Sequence, residues 1–376
     1  MTEDTMRILI ASDKFKGSLT AVEANTAIAG GIRKGSTPEP DITSIPIADG
    51  GDGLVATLVA ATGGTTESLE VTGPLGDPTN ATIGFLPDNE TAVIEMAEAS
   101  GIALIPAEQL NPQLASTFGT GELIQHLISR GYKKIIMGIG GSATNDGGTG
   151  MARALGFQFL DSQSRPVENL PADLLEVSAM IAPDNLVLPE ILIACDVTNP
   201  LLGPDGCTRI YGPQKGITPD QFEAHESKLS HLVSLCGEKG RNAALLLGAG
   251  AAGGLGFGSI VFLGAELTPG FDLVSELLQL EAAVQSADLV ITGEGSLDAQ
   301  SLLGKGPGSL ARLARKYGKK VIAVCGRSDD LSESNLFDEI IEIGDPSLTL
   351  KENMDRAFEL LAGKSEEFAV KSLSKP

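Results

Sequence analysis

Carboxylates, lysines and glycines recur together at a few places in this 376-residue chain. Asp49 and Asp52 stand in ADGGDG (48–53), Asp146 in GIGGSATNDGGTG (138–150), Asp196 in CDVTNP (195–200), and Glu294 with Asp298 in TGEGSLD (292–298). Lysines occupy similar settings: Lys14 and Lys16 in SDKFKGS (12–18), Lys215 in GPQKG (212–216) and Lys305 in LGKG (303–306). The three histidines, His126, His225 and His231, all fall in amphipathic, helix-like stretches, so imidazole acid–base chemistry is not expected. P-loop, HExxH, GxSxG and protein-kinase signatures are absent. What remains is the equipment of phosphoryl transfer, which needs positioning and charge neutralisation more than covalent help. Glycine-rich corners bring backbone N–H groups onto phosphate oxygens. A carboxylate can take the proton of an attacking hydroxyl, and magnesium is held by one or two carboxylates plus substrate phosphates.

The elements that must position these corners are short apolar runs. RILIAS (7–12), DITSIPI (41–47), KKIIMGI (133–139), EILIACD (190–196), ADLVITG (287–293) and KKVIAVCG (319–326) each lead into a glycine- or aspartate-rich corner. Most of these corners are followed by an amphipathic stretch. Thr20 and Glu23 have capping-box spacing at the first such start. Continuous apolar runs alternating with helices predict parallel strands buried on both faces, hence an α/β protein. Ligands of such sheets bind outside the carboxyl ends of the strands, where the corners lie. Residues 67–97 instead alternate apolar and polar positions around turn signals and predict an antiparallel meander. The expected organisation is a Rossmann-like domain from 1–66 and 287–376 with a second α/β domain, 67–286, inserted into it.

Composition narrows the partners. With 27 basic and 49 acidic residues the formal net charge is −22, which argues against nucleic acid and anionic membranes. It also makes each lysine in a glycine setting a candidate for anion binding. The four cysteines show no CxxC spacing and read as reduced thiols. No apolar stretch approaches a membrane span, so a cytoplasmic protein is expected. Homo-oligomerisation is compatible with the composition but not indicated by it.

Several corners also have a plainer reading. Asp146 would cap a helix, the aspartates of ADGGDG would face a helix dipole, and GAGAAGGLGFG (248–258) would serve close backbone packing. GIGGSA (138–143) with Asp161 about twenty residues on matches a dinucleotide fingerprint, giving a rival reading as an NAD(P)-dependent dehydrogenase of a small hydroxy acid. A nucleotide-binding protein without catalysis is a third.

The ordered motifs IASDKFKGSLTAVEA, PIADGGDG, EVTGPLGDP, IEMAEASGI, TFGTGELI, GIGGSATNDGGTGMARALG, ACDVTNPLLGP, GPQKG, GAGAAGGLG and ITGEGSLDAQSLLGKGP resemble the bacterial glycerate kinase family of the first type across essentially the whole chain. The resemblance implies ATP- and magnesium-dependent phosphorylation of D-glycerate, usually to 2-phosphoglycerate, in a cleft between a Rossmann-like domain and a second α/β domain. On this reading Asp196 is the general base and Lys16 the catalytic cation. Lys14, Asp49, Asp52, Ser100 and Lys215 contact the substrate. Gly140, Gly141, Ser142, Asn145, Asp146, Gly293, Gly295 and Lys305 hold the nucleotide, and Glu294 and Asp298 hold magnesium. Where relatives carry DSFKGS this chain has DKFKGS, which leaves Lys16 as the shared cation. An arginine sometimes found in the relatives' GEGRxD corner is replaced in GEGSLD.

Overall fold

The computed structural model describes residues 5–48, 50–302, 306–329 and 335–373. Among them the strands are β1 Arg7–Ile10, β2 Asp41–Ser44, β3 Thr65–Thr72, β4 Pro78–Phe85, β5 Thr91–Glu95, β6 Lys134–Gly138, β7 Gln158–Leu160, β8 Ala179–Ile181, β9 Glu190–Ala194, β10 Glu266–Thr268, β11 Leu289–Leu297, β12 Lys320–Ser328 and β13 Glu339–Glu342. The chain forms two compact units, residues 1–49 with 271–376 and residues 50–270. Relative to the division read from the sequence, helix Leu54–Thr62 falls in the second unit, where Val55 and Val59 pack over Gly84 of β4. Residues 271–286 fall in the first, where Phe271, Leu280 and Val284 join the core under β1 and β11.

The first unit is built on a sheet ordered β13-β12-β11-β1-β2, all of whose neighbours run parallel. Ile8, Leu9 and Ile10 are each at most 1% exposed, because helices cover both faces. Ile8, Ile10, Ile291 and Val324 meet Ile28 and Ile32 of helix Ala21–Gly35 and Leu361 of helix Ala357–Ser372. Leu9, Val290 and Val321 meet Leu310 and Ala314 of helix Gly306–Lys316 on the other side. Fully burying one such aliphatic side chain contributes about 1.5–3 kcal/mol. The capping box at Thr20 and Glu23 forms as expected.

The second unit carries a six-stranded sheet, β10-β9-β6-β5-β4-β3. The expected meander is β3, β4 and β5, joined antiparallel, and β5 then pairs parallel with β6, which pairs parallel with β9. β7 and β8 form a separate antiparallel pair. All four cysteines are free thiols. No helix among the described residues is long and apolar enough to cross a membrane.

Candidate active site

In the second unit the glycine-rich segment leaves the carboxyl end of β6 and is stitched to the segment that leaves β5. Ile102 N donates to Gly141 O at 2.8 Å and Ala143 N to Ser100 O at 3.0 Å. The Ser100 hydroxyl is itself buried against Thr120 Oγ1 at 2.8 Å. A third segment, 50–53, crosses over this loop. A Cβ on Gly140 would lie 3.0 Å from Gly51 Cα, and one on Gly141 would lie 2.9 Å from Asp52 Oδ1. Glycine is required here because backbone passes backbone, not only for the freedom of a turn. A Cβ on Gly50 would in turn lie 2.8 Å from Ala194 Cβ, so the same segment reaches the end of β9, where Asp196 follows. Asp196 is exposed, and its Oδ1 accepts from Gly270 N at 2.8 Å. Asp52, Gly140, Gly141, Ser142, Ser100 and the Asp196 corner thus share one neighbourhood, built from residues far apart in sequence.

Two expected contacts face inward instead. Asp146 is fully buried. Its Oδ2 accepts from Thr117 N (2.9 Å), Thr117 Oγ1 (2.8 Å) and Gly150 N (3.1 Å), and its Oδ1 accepts from Gly148 N (3.0 Å). Burial raises its pKa, and the Thr117, Gly148 and Gly150 donors oppose that. This is the plainer cap reading of Asp146, with the carboxylate closing the loop onto the helix Thr149–Ala154. Asn145 is also buried, its Nδ2 3.3 Å from both Thr208 Oγ1 and His225 Nδ1.

Lys215 is 1% exposed, and its Nζ donates to Ser142 Oγ at 2.6 Å and to Thr144 O at 2.7 Å. Burial pulls its pKa down to about 8, against the pull of Cys207 and Asp146. The sequence placed Ser142 and Lys215 in different roles; the structure puts them in direct contact.

Sequence reading passed over Glu95, the last residue of β5, which receives Gly53 N at 2.9 Å and Val55 N at 2.8 Å and so caps helix Leu54–Thr62. Burial raises its carboxyl. A carboxylate ending an apolar run, TAVIE, was the available signal. Thr117 was passed over too, and nothing local marks it.

In the first unit Asp13, another omission, continues the β1 ladder: its N donates to Gly293 O at 2.9 Å. Its carboxylate accepts from Lys14 N at 2.6 Å and lies by Gly306, the first residue of helix Gly306–Lys316. As the first carboxylate after the first strand, it was marked by position alone. Lys14 is half-buried and Lys16 exposed, on the tight turn closed by Phe15 and Leu19. The GEGSL stretch was expected to be a phosphate-binding corner, but it is strand. β11 runs on to Leu297, with Glu294 opposite Cys325 and Ser296 opposite Arg327 on β12. Gly293 and Gly295 are therefore strand residues, and a Cβ on Gly295 would lie 3.2 Å from Lys16 N. Asp298 Oδ1 accepts from Ser301 N at 3.0 Å at the start of the next helix. Glu294 thus lies within β11, and Asp298 directly follows the strand's last residue, Leu297. Following the Ile8–Leu289 and Ile10–Ile291 register through the Asp13–Gly293 bond sets Asp13 level with Glu294 on the adjacent strand. Asp49 and Lys305 lie outside the described residues.

The dinucleotide alternative does not match this fold. After β6 and its helix the chain enters β7, which pairs antiparallel with β8 outside the six-stranded sheet, and only then β9 returns beside β6, so the short βαβ unit of a dinucleotide fingerprint does not follow GIGGSA. Asp161 is tied up in a turn, accepting from Gln163 N, Arg165 N and Arg165 Nε.

The fold is that of an α/β protein whose parallel strands present glycine, carboxylate and hydroxyl groups at their carboxyl ends, where ligands of such sheets bind. The profile of the Glycerate kinase family matches residues 8–372, and the chain belongs to that family. It is 44% identical over 361 residues to the glycerate kinase of Haemophilus influenzae, covering 92% of this chain and 94% of that one. It is 43% identical to the glycerate 2-kinase of Escherichia coli, covering 86% of each. The crystal structure of a candidate glycerate kinase 2 from Salmonella typhimurium LT2 superposes with a TM-score of 0.87 at 39% identity, over 98% of both chains.

Proposed function

We propose that this chain transfers the γ-phosphoryl group of ATP to the 2-hydroxyl of D-glycerate, in the cytoplasm. The observation that carries the reading is family membership over residues 8–372, joined to loops at strand carboxyl ends that offer what phosphoryl transfer needs. Asp196 acts as general base: it is exposed, and the Gly270 amide steadies one carboxylate oxygen. Gly140, Gly141 and Ser142 receive anionic oxygens, and Asp52 and Ser100 border the same loop. Asn145 and Asp146 hold the loop from within and do not touch ligand. Lys16, exposed on its turn, supplies positive charge in an otherwise acidic molecule.

The carboxylates suited to magnesium are Glu294 and Asp298, joined by Asp13, which is level with Glu294 on a neighbouring strand about 4.8 Å away. Bound there, magnesium would neutralise phosphate charge. The product assignment is supported by the name of the Escherichia coli relative, a glycerate 2-kinase. The test is an ADP-release screen over D-glycerate, L-glycerate and related hydroxy acids, with NMR of the product. ADP release with D-glycerate and a phosphate on carbon 2 is expected. Release only with another acid, or phosphate on carbon 3, overturns the corresponding part.

A further inference from the structure

Among the described residues, the ammonium of Lys215 has no carboxylate as a hydrogen-bond partner. Its two charge-assisted bonds go to neutral oxygens of one loop, Ser142 Oγ and Thr144 O. A lysine ammonium can only donate. Ser142 Oγ therefore accepts in the 2.6 Å contact, and its single proton must point elsewhere. Ser142 follows Gly141, the exposed tip of the loop, which lies beside Asp52.

We propose that Lys215 is a positioning residue: from beneath the loop it fixes the Ser142 hydroxyl as a donor toward an anionic oxygen of the ligand. It lends that donor positive potential without touching ligand itself. The inference rests on the function proposed above and adds the way the loop recognises charge. The anionic oxygen belongs either to the hydroxy-acid carboxylate or to a nucleotide phosphate, and the two are separable by KM.

The arrangement reverses when Lys215 loses its proton. A neutral amine can accept, so the Ser142 proton turns inward to Nζ and the outward donor is lost. Burial brings this change down to about pH 8. Two titratable neighbours lie well away from that range. Cys207, on helix Cys207–Tyr211, is pushed up to about 11 by burial, and His225, joined to the loop through Asn145, is pushed down to about 4. Asp146, although raised by burial, keeps four hydrogen-bond donors on its carboxylate.

The experiment is steady-state kinetics from pH 6.5 to 10 on the intact chain, the Ser142→Ala variant, the Lys215→Met variant and the double variant. KM for glycerate and for ATP is measured separately, and thermal unfolding serves as the fold control. In the wild type one of the two KM values should rise about ten-fold as pH passes through the Lys215 transition. Ser142→Ala should start at the raised KM and lose that rise. Which KM moves identifies the carboxylate or the phosphate as the partner. Lys215→Met should add little on top of Ser142→Ala. If Lys215→Met does not fold, the pH profile of Ser142→Ala decides alone. An alkaline rise that persists unchanged in Ser142→Ala, or fully additive effects in a folded double variant, overturns the inference while leaving the proposed function intact. A folded wild type that turns over no glycerate at any pH overturns both.

Discussion

The backbone amide and the hydroxyl of Thr117 both donate to one oxygen of Asp146, at 2.9 and 2.8 Å, across 29 residues of sequence. The same hydroxyl accepts from Met151 N at 2.9 Å, so Thr117 and the start of helix Thr149–Ala154 close together on one buried carboxylate. Asp146→Ala should destabilise the chain by about 3 kcal/mol or more, because several buried N–H groups lose their acceptor. Thr117→Val keeps the shape and the amide but removes the hydroxyl, and should lose about 2 kcal/mol. Urea unfolding at neutral pH measures both. Equal stability of Asp146→Ala and wild type would show that the carboxylate does not hold the loop.

Gly253 and Gly264 share a φ of +65°, but only Gly253 is crowded: a Cβ there collides with the carbonyl oxygen of Thr144, whereas no atom of the described residues lies within 4 Å at Gly264. Gly264→Ala should therefore lose only the left-handed strain of about 1–2 kcal/mol. Gly253→Ala adds a collision with the glycine-rich loop and breaks the setting in which Gly147 N bonds Gly253 O at 3.1 Å. It should lose about 3 kcal/mol or more. The pair is compared by chemical unfolding, and similar losses at the two sites would refute the interlocking of residues 138–150 with 248–258.

These two relationships mark where sequence reading stopped. The α/β class, the places of β1, β2, β6, β9, β11 and β12, the antiparallel meander and the Thr20 cap were legible because each depends on local periodicity or on residues three apart. The glycines of 138–150 were legible as unusual, but much of their use is close approach by Gly51, Thr117 and Gly253, which no local pattern encodes. The contact of Lys215 with Ser142 spans 73 residues. TGEGSLD looked like a corner because glycine usually punctuates, yet here glycine sits inside β11 so that the 13–16 turn can cross it. Charge-bearing residues were found by type. Their inward or outward direction was not, because direction is decided by tertiary packing.

Glu95, at the end of β5, receives the amides at the start of helix Leu54–Thr62, from Gly53 and Val55. Glu95→Ala should lose about 1–3 kcal/mol, the range for a buried cap whose donors are left unmet. Because the segment it holds carries Asp52 beside Gly141, activity should fall more than the stability loss alone explains. Kinetics at a temperature where the variant is fully folded checks this, and wild-type kcat/KM there would place the 50–53 segment outside the reaction.

Asp196→Asn keeps an oxygen for the Gly270 amide but cannot take up a proton. Folding should be unaffected, while kcat should drop about 10²–10⁴-fold with a smaller change in KM. Rapid-quench measurement of the first turnover separates this from slow product release. A variant that keeps near-normal first-turnover rates would remove Asp196 from the role of base.

Lys215 titrates at about 8 in the folded chain instead of its ordinary 10.5. Between those values the unfolded chain holds a proton that the folded chain lacks, so stability rises with pH across that window. That difference corresponds to about 3 kcal/mol. Below pH 8 the lysine is charged in both states and contributes no slope. Unfolding free energies of wild type and Lys215→Met, measured from pH 7 to pH 10.5, isolate this group from the other lysines, since only the wild type carries it. The wild type should gain on the variant as pH rises through the window, by up to the figure above. Over the same range the outward Ser142 donor is lost, so stability and ligand affinity should move in opposite directions with pH. A constant difference between the two proteins would mean that Lys215 keeps its proton throughout, and the alkaline change in KM would then need another source.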